Sequence, residues 1–276
     1  MMRLALHTWT LDTTPLAEVL RIAAATGWDA VELRRIDFVR AGKQGQSQAD
    51  VVALVRDSGM PVSAVGAELG WMFASGDERG RLLTVFEESC QAAAALDAPL
   101  VMSPVDMGSG SRAQAVARIR ELGDLAADHG RRLTLEFQSQ AAQINSLQAV
   151  RELLAEADHP AVGLLLDTYH LERSGLHGAA FADVPVSEIF YVQFSDVPAS
   201  GLAPGQTQDR LPPGEGVVPF AEIFALLDAM GYAGDASYEA PNPGAWERPP
   251  EVVARRALLA ARSFLPARPG RSVPEG

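Results

Sequence analysis

Eight short apolar runs, separated by longer amphipathic stretches, set the strongest limit on what this chain can fold into. The runs lie at residues 4–7, 30–33, 62–66, 100–103, 133–136, 162–166, 189–194 and 236–239. The intervening stretches, at 15–26, 49–58, 78–96, 113–129, 147–157, 219–230 and 250–264, carry apolar residues at three- and four-residue spacing, as in LAEVLRIAAATG. That spacing predicts amphipathic helices. Gly27, Gly59, Gly130 and Gly231 each stand where a helix would end before a strand, a place that suits a left-handed cap. Eight strands, most followed by a helix, predict a closed (β/α)8 barrel: one domain over residues 1–265. The segment ERSGLHGAAFADVPVSE, after the sixth run, predicts only a short helix. Residues 266–276, PARPGRSVPEG, predict a disordered tail. The long Pro/Gly-rich loop 195–217 would follow strand seven on the catalytic face and could act as a lid.

Composition removes several function classes. The 276 residues are 47% hydrophobic and 21% charged, enough to bury a full core. The net charge of −12 opposes a protein that grips phosphate backbones. The single cysteine, Cys90, excludes an internal disulfide framework and multi-cysteine metal centres, and reads as a small buried thiol. No run reaches the ~18 apolar residues of a membrane span, so a soluble, cytoplasmic protein is expected. Lys43, the only lysine, sits in the polar segment RAGKQGQSQ. There it reads as a solvated loop charge, which disfavours Schiff-base chemistry.

In a barrel of this kind, residues at the C-terminal ends of strands face the active site. Strand five ends in Glu136, strand six in Asp167 with His170 following, strand seven in Gln193 and Asp196, and strand eight in Glu239. Three carboxylates in one pocket repel one another unless a cation or a proton intervenes. A set of oxygen donors suits Mg²⁺ or Mn²⁺, with Co²⁺ also possible, better than it suits zinc. His170 could equally brace the segment that follows. His129, His159 and His177 read as structural. Rim candidates for binding substrate are His7 and Trp9, Glu32 and Arg34, Glu68 and Trp71, Asp106, and Arg210 in the long loop. Both tryptophans also suit barrel-mouth core. The glycines of GSGS at 108–111 could cradle a phosphate, although a plain helix cap explains them.

These strings resemble the xylose isomerase-like TIM-barrel superfamily of sugar-phosphate isomerases and epimerases. The likeness runs from LALHTWTL through AAATGWDAVELR, LTLEFQ, LLLDTYH, YVQFSD and LPPGEGVVPF to YEAPNP. It implies one divalent ion held by Glu136, Asp167, Gln193 and Glu239. Where most of these isomerases and epimerases have His, this chain has Gln193, as in the bacterial 3-dehydroshikimate dehydratase branch. The segment FQSQAAQINS departs from that branch. The resemblance implies proton abstraction beside the carbonyl of a keto-sugar or keto-cyclitol, with Glu136 and Glu239 as base and acid on opposite faces. His170 would polarise a neighbouring oxygen. Isomerisation or epimerisation stands first, and loss of a β-hydroxyl by a dehydratase second. Endonuclease IV shares the barrel, but its histidine-rich multi-zinc site and basic DNA face do not match this chain. A binding protein without catalysis is opposed by the complete carboxylate set. A homo-oligomer is possible.

Overall fold

The computed structural model describes residues 2–200 and 207–266. Eight parallel strands close into a barrel in chain order: β1 Arg3–His7, β2 Ala30–Leu33, β3 Val62–Gly66, β4 Leu100–Pro104, β5 Arg132–Glu136, β6 Val162–Asp167, β7 Ile189–Phe194 and β8 Asp235–Tyr238. β8 pairs with β1, so no edge is left open. The strands are covered on both faces, which is why their sequences are almost continuously apolar rather than alternating. The expected (β/α)8 TIM barrel is what forms.

The helices are α1 Leu16–Thr26, α2 Arg35–Lys43, α3 Gln48–Asp57, α4 Gly76–Ala95, α5 Arg112–Asp128, α6 Leu147–Ala157, α7 Thr168–Arg173, α8 Phe220–Ala229, α9 Pro243–Trp246 and α10 Pro250–Phe264. α1 ends at Gly27, whose φ of +90° lets its N–H reach the carbonyls of Ala23 and Ala24. Gly59, Gly130 and Gly231 also take positive φ. Ser111 caps α5 through its own hydroxyl, which accepts from the Gln114 N–H, so a helix cap accounts for the GSGS motif.

Two segments differ from expectation. α2 occupies a stretch read as loop, and Lys43 is its exposed last residue. Its sequence, RIDFVRAGK, has too little apolar periodicity to announce a helix. Asp37 starts it instead: its carboxylate accepts the Arg34 backbone N–H at 2.8 Å and pairs with the Arg34 guanidinium at 3.2 Å. α7 begins directly at the end of β6, with Asp167 as its N-cap, earlier than the short helix expected further on. The tail beyond Pro266 and residues 201–206 of the long loop lie outside the described residues.

The main core lies between barrel and helices, and Cys90 is buried in it. Burial pushes that thiol up to about 12. A smaller cluster, Ala64, Leu100, Met102, Leu165 and Tyr191, fills the barrel interior and floors the polar layer above it. Among the described residues no helix is long and apolar enough to cross a membrane.

Candidate active site

The ends of β5 to β8 bring Glu136, Asp167, Gln193 and Glu239 to one mouth, each at most 6% exposed. Parallel register sets Asp167 beside Gln193, and Glu239 follows β8 with its N–H bonded to Phe194 O at 3.2 Å. Arg210 reaches into this group from the long loop. Its Nη1 donates to Asp167 Oδ2 and to Glu239 Oε2, both at 2.8 Å, and its guanidinium lies over the Tyr169 ring, 4.3 Å from the centroid. Burial opposes the Arg210 charge, but Asp167, Glu239 and Glu136 outweigh it and hold the group firmly protonated.

The two catalytic glutamates anticipated from sequence are not equivalent. Glu239 Oε2 accepts from Arg210, and Oε1 lies 3.4 Å from His7 Nε2. Glu136 accepts from the Gln138 amide on Oε2, whereas its buried Oε1 has no partner. Burial, together with the charges of Asp167 and Glu239, raises the Glu136 carboxyl well above its ordinary range. Its surroundings therefore favour the protonated form.

Both buried histidines are neutral. His170 accepts the Ser139 backbone N–H on Nδ1 at 3.2 Å. Its Nε2 lies 3.4 Å from Arg210 Nη2, 3.7 Å from Glu136 Oε1 and 3.8 Å from Asp167 Oδ2, so it faces one donor and two acceptors. Burial drives the His170 pKa down to about 3, the nearby Asp167 charge only partly opposing it. His7 likewise accepts the Trp9 N–H on Nδ1 at 3.1 Å and turns Nε2 toward Glu239. Burial, then Arg34, keeps its pKa low.

A pH prediction arises here. The ring of His170 stays neutral in the folded metal-free protein down to about pH 3 but titrates near 6.5 when unfolded. Between those limits the unfolded chain binds more protons, so acid destabilises the fold, by at most about 1.4 kcal/mol per pH unit for this one ring. Urea unfolding across that range should show a shallower pH slope for His170→Asn than for the parent. Equal slopes would place the acid sensitivity elsewhere.

Metal fit can be tested on the donors themselves. Glu136, Asp167 and His170 offer ligand atoms within 4.8 Å of one another. Two buried acceptors in the mouth, Glu136 Oε1 and Gln193 Oε1, have no hydrogen-bond partner, and such groups call for a donor or a cation. With the three carboxylates ionised, −3 plus the +1 of Arg210 leaves −2, the charge one divalent ion cancels. The residues present fit such an ion.

The other rim candidates are occupied with one another. Arg34 bonds Asp12 and Asp37. Glu68 pairs with Arg81 at the surface. Asp106 accepts from the N–H groups of Gly70 and Phe73, holding the loop after β3. Trp71 is buried, with Nε1 on Ser103 Oγ at 2.8 Å; Trp9 is half-buried. Asp196 binds the N–H groups of Val197, Gly214, Gly216 and Val218 and so pins the long loop. A Cβ on Gly216 would fall 2.1 Å from Val197 O, which is why that turn carries glycine. Glu32 is fully buried beneath Gln193 rather than at the rim. Sequence reasoning missed Gln138 and Ser139, which hold Glu136 and His170, and Asp209, which anchors the Arg210 segment to Tyr169 at 2.8 Å. Their only signal was proximity to the strand ends and to Arg210.

The sequence matches the xylose isomerase-like TIM barrel family over residues 20–264, and the chain belongs to that family. It is 30% identical over 235 residues to a 3-dehydroshikimate dehydratase of Pseudomonas putida, a match covering 83% of this chain but 36% of that protein; the chain thus spans about a third of that relative. It is 23% identical over 257 residues to an inosose isomerase of Halalkalibacterium halodurans, with 90% of each covered. Among solved structures, IOLI protein with a bound zinc atom superposes with a TM-score of 0.86 at 19% identity, covering 96% of this chain and 98% of that one. The 3-keto-D-glucoside 4-epimerase of E. coli gives 0.76 at 21% identity, covering 95% and 100%. These two structures share the fold.

Proposed function

We propose that the chain is a divalent-metal-dependent dehydratase acting on a polyhydroxylated cyclic ketone, with Mn²⁺ or Mg²⁺ held by Glu136, Asp167, Gln193 and Glu239. Bound there, the ion would polarise the ketone oxygen as a Lewis acid. The single observation behind this reading is the asymmetry of the glutamates: Glu136 Oε1 is buried without a hydrogen-bond partner beside His170 Nε2, while Glu239 is held by Arg210 and lies against His7. Two-sided proton exchange requires two available carboxylates; one-sided elimination requires one.

Glu136 Oε1 takes the proton from the carbon next to the ketone, and that C–H pair becomes the new C=C bond. His170, as a neutral donor, holds the β-hydroxyl oxygen through Nε2–H. Glu136 returns its proton to that hydroxyl, the C–O bond breaks, and water leaves from the face on which the proton was taken. Arg210 and His7 hold Glu239 in place meanwhile.

The likeness to 3-dehydroshikimate dehydratases, and to an inosose dehydratase of Geobacillus thermodenitrificans at 29% over 159 residues, supports this exit. Isomerisation or epimerisation, the exit placed first from the sequence, keeps one specific support: the inosose isomerase match spans 90% of both chains. Incubating the Mn²⁺-loaded protein with 3-dehydroshikimate and with an inosose, followed by mass spectrometry, separates the two. Loss of one water is expected. A product of unchanged mass that carries solvent deuterium at carbon would replace the dehydratase with an isomerase.

A further inference from the structure

Gln193 poses a problem that a histidine would not. Its amide ends in an oxygen and an NH₂ of almost equal size, and only the oxygen can ligate a cation. Turned the wrong way, it would aim two N–H donors at the ion. One contact decides the orientation. Gln193 Nε2 donates to Glu32 Oε1 at 2.9 Å, and the amide oxygen is left buried and unpartnered at the mouth. Glu32 could serve the opposite orientation only by donating a proton. Burial and the Glu239 charge push its carboxyl up to about 8, but the bonds it accepts on both oxygens, the second from the Tyr191 hydroxyl at 3.2 Å, favour the accepting, ionised form. Tyr191 Oη in turn accepts from Ser63 Oγ at 2.6 Å, with Val31 O, 3.1 Å from Ser63 Oγ, the alternative acceptor for the one serine proton. Ser63 stands where the β2–β3 register shifts between Val31 and Glu32, so a local irregularity of the barrel wall seats the far end of this chain of bonds.

We infer that Glu32 is a positioning residue for the metal site: it sits beneath the ligands, touches neither ion nor substrate, and locks the Gln193 amide with its oxygen toward the mouth. This rests on the metal reading above. Partners behind a metal ligand commonly change affinity by about 10- to 100-fold. Glu32→Gln is the informative change because its own amide can donate to Gln193 Oε1, capturing the oxygen that should ligate. Glu32→Asp keeps the carboxylate but withdraws it by one methylene. Tyr191→Phe removes the other bond to Glu32 and leaves the Gln193 contact in place.

The test is a Mn²⁺ titration of the chelator-stripped proteins by calorimetry, with Mn²⁺ electron paramagnetic resonance on each loaded form and a melt in EDTA to confirm folding. Expected is a Kd raised about 10- to 100-fold in Glu32→Gln with an altered resonance spectrum, a smaller rise in Glu32→Asp, and a Kd within about threefold of the parent for Tyr191→Phe. Should Glu32→Gln fail to fold, Glu32→Asp against Tyr191→Phe carries the comparison. Parent-like Mn²⁺ affinity in both Glu32 variants overturns the inference and leaves the metal site standing. Equal weakening in Tyr191→Phe also overturns it, because the cause would then be a loosened barrel interior. A parent protein that binds no Mn²⁺ removes the metal reading and this inference together.

Discussion

Glu136→Gln is expected to lower turnover about 10³- to 10⁴-fold, the upper part of what a positioned general base contributes, with little change in KM. Glutamine retains the shape and the contact with Gln138 but cannot accept a carbon-bound proton. Exchange of the substrate α-proton with deuterated solvent should disappear along with turnover. Glu239→Gln should behave differently, because Oε2 is bonded to Arg210 and Oε1 lies against His7; its loss should appear mainly as weaker Mn²⁺ binding. If the two variants instead lost activity in the same way, each blocking exchange from one face only, the glutamates would be a two-base pair and the epimerase reading would take over.

The second large effect belongs to Arg210. Removing one partner of a buried ion pair leaves an uncompensated charge and typically costs about 3–5 kcal/mol. In Arg210→Ala, Asp167 and Glu239 lose the donor they share. The EDTA-treated variant should therefore melt about ten degrees below the parent, and Mn²⁺ should recover most of that difference by supplying positive charge to the same carboxylates. The comparison to make is the Mn²⁺-induced rise in Tm, expected to be larger in the variant than in the parent. A variant that melts with the parent under both conditions would mean the cluster is neutralised by protons, and that Arg210 carries no electrostatic role.

The barrel was legible because its evidence is local. Apolar runs at strand length, helical spacing and glycines at helix ends are all properties of neighbouring residues, and the carboxylates could be placed because each ends a strand. What escaped depends on distance along the chain. Arg210 was expected at the rim to grip substrate, but its pairing with Asp167 and Glu239, 43 and 29 residues away, was not, because nothing in LPPGEG says that the residue before it turns onto the carboxylates. Glu32 and Gln193 are 161 residues apart; as a strand-end carboxylate, Glu32 looked the same as Glu136, and only barrel closure shows one beneath the ligands and the other among them. α2 was missed for a related reason: its start depends on the Asp37 carboxylate accepting the Arg34 N–H more than on an apolar face. Equivalence of Glu136 and Glu239 was a fair expectation from sequence, since their different partners come from β1, from the loop after β5 and from the loop after β7.

The rim loops of the first half of the barrel are tied to themselves, Arg34 to Asp12 and Asp37, Asp106 to the backbone of residues 70 and 73, Glu68 to Arg81. All four oxygen donors come from the second half. The molecule is thus divided like a tool with a fixed cutting edge and an interchangeable guide. The divide is not complete: the loop after β4 is bonded to the loop after β5, Ala142 N–H to Met107 O and Gly110 N–H to Gln143 Oε1. Grafted guide loops therefore leave the chemistry intact only where those two loops are exchanged together and His7 and Glu32 stay in place.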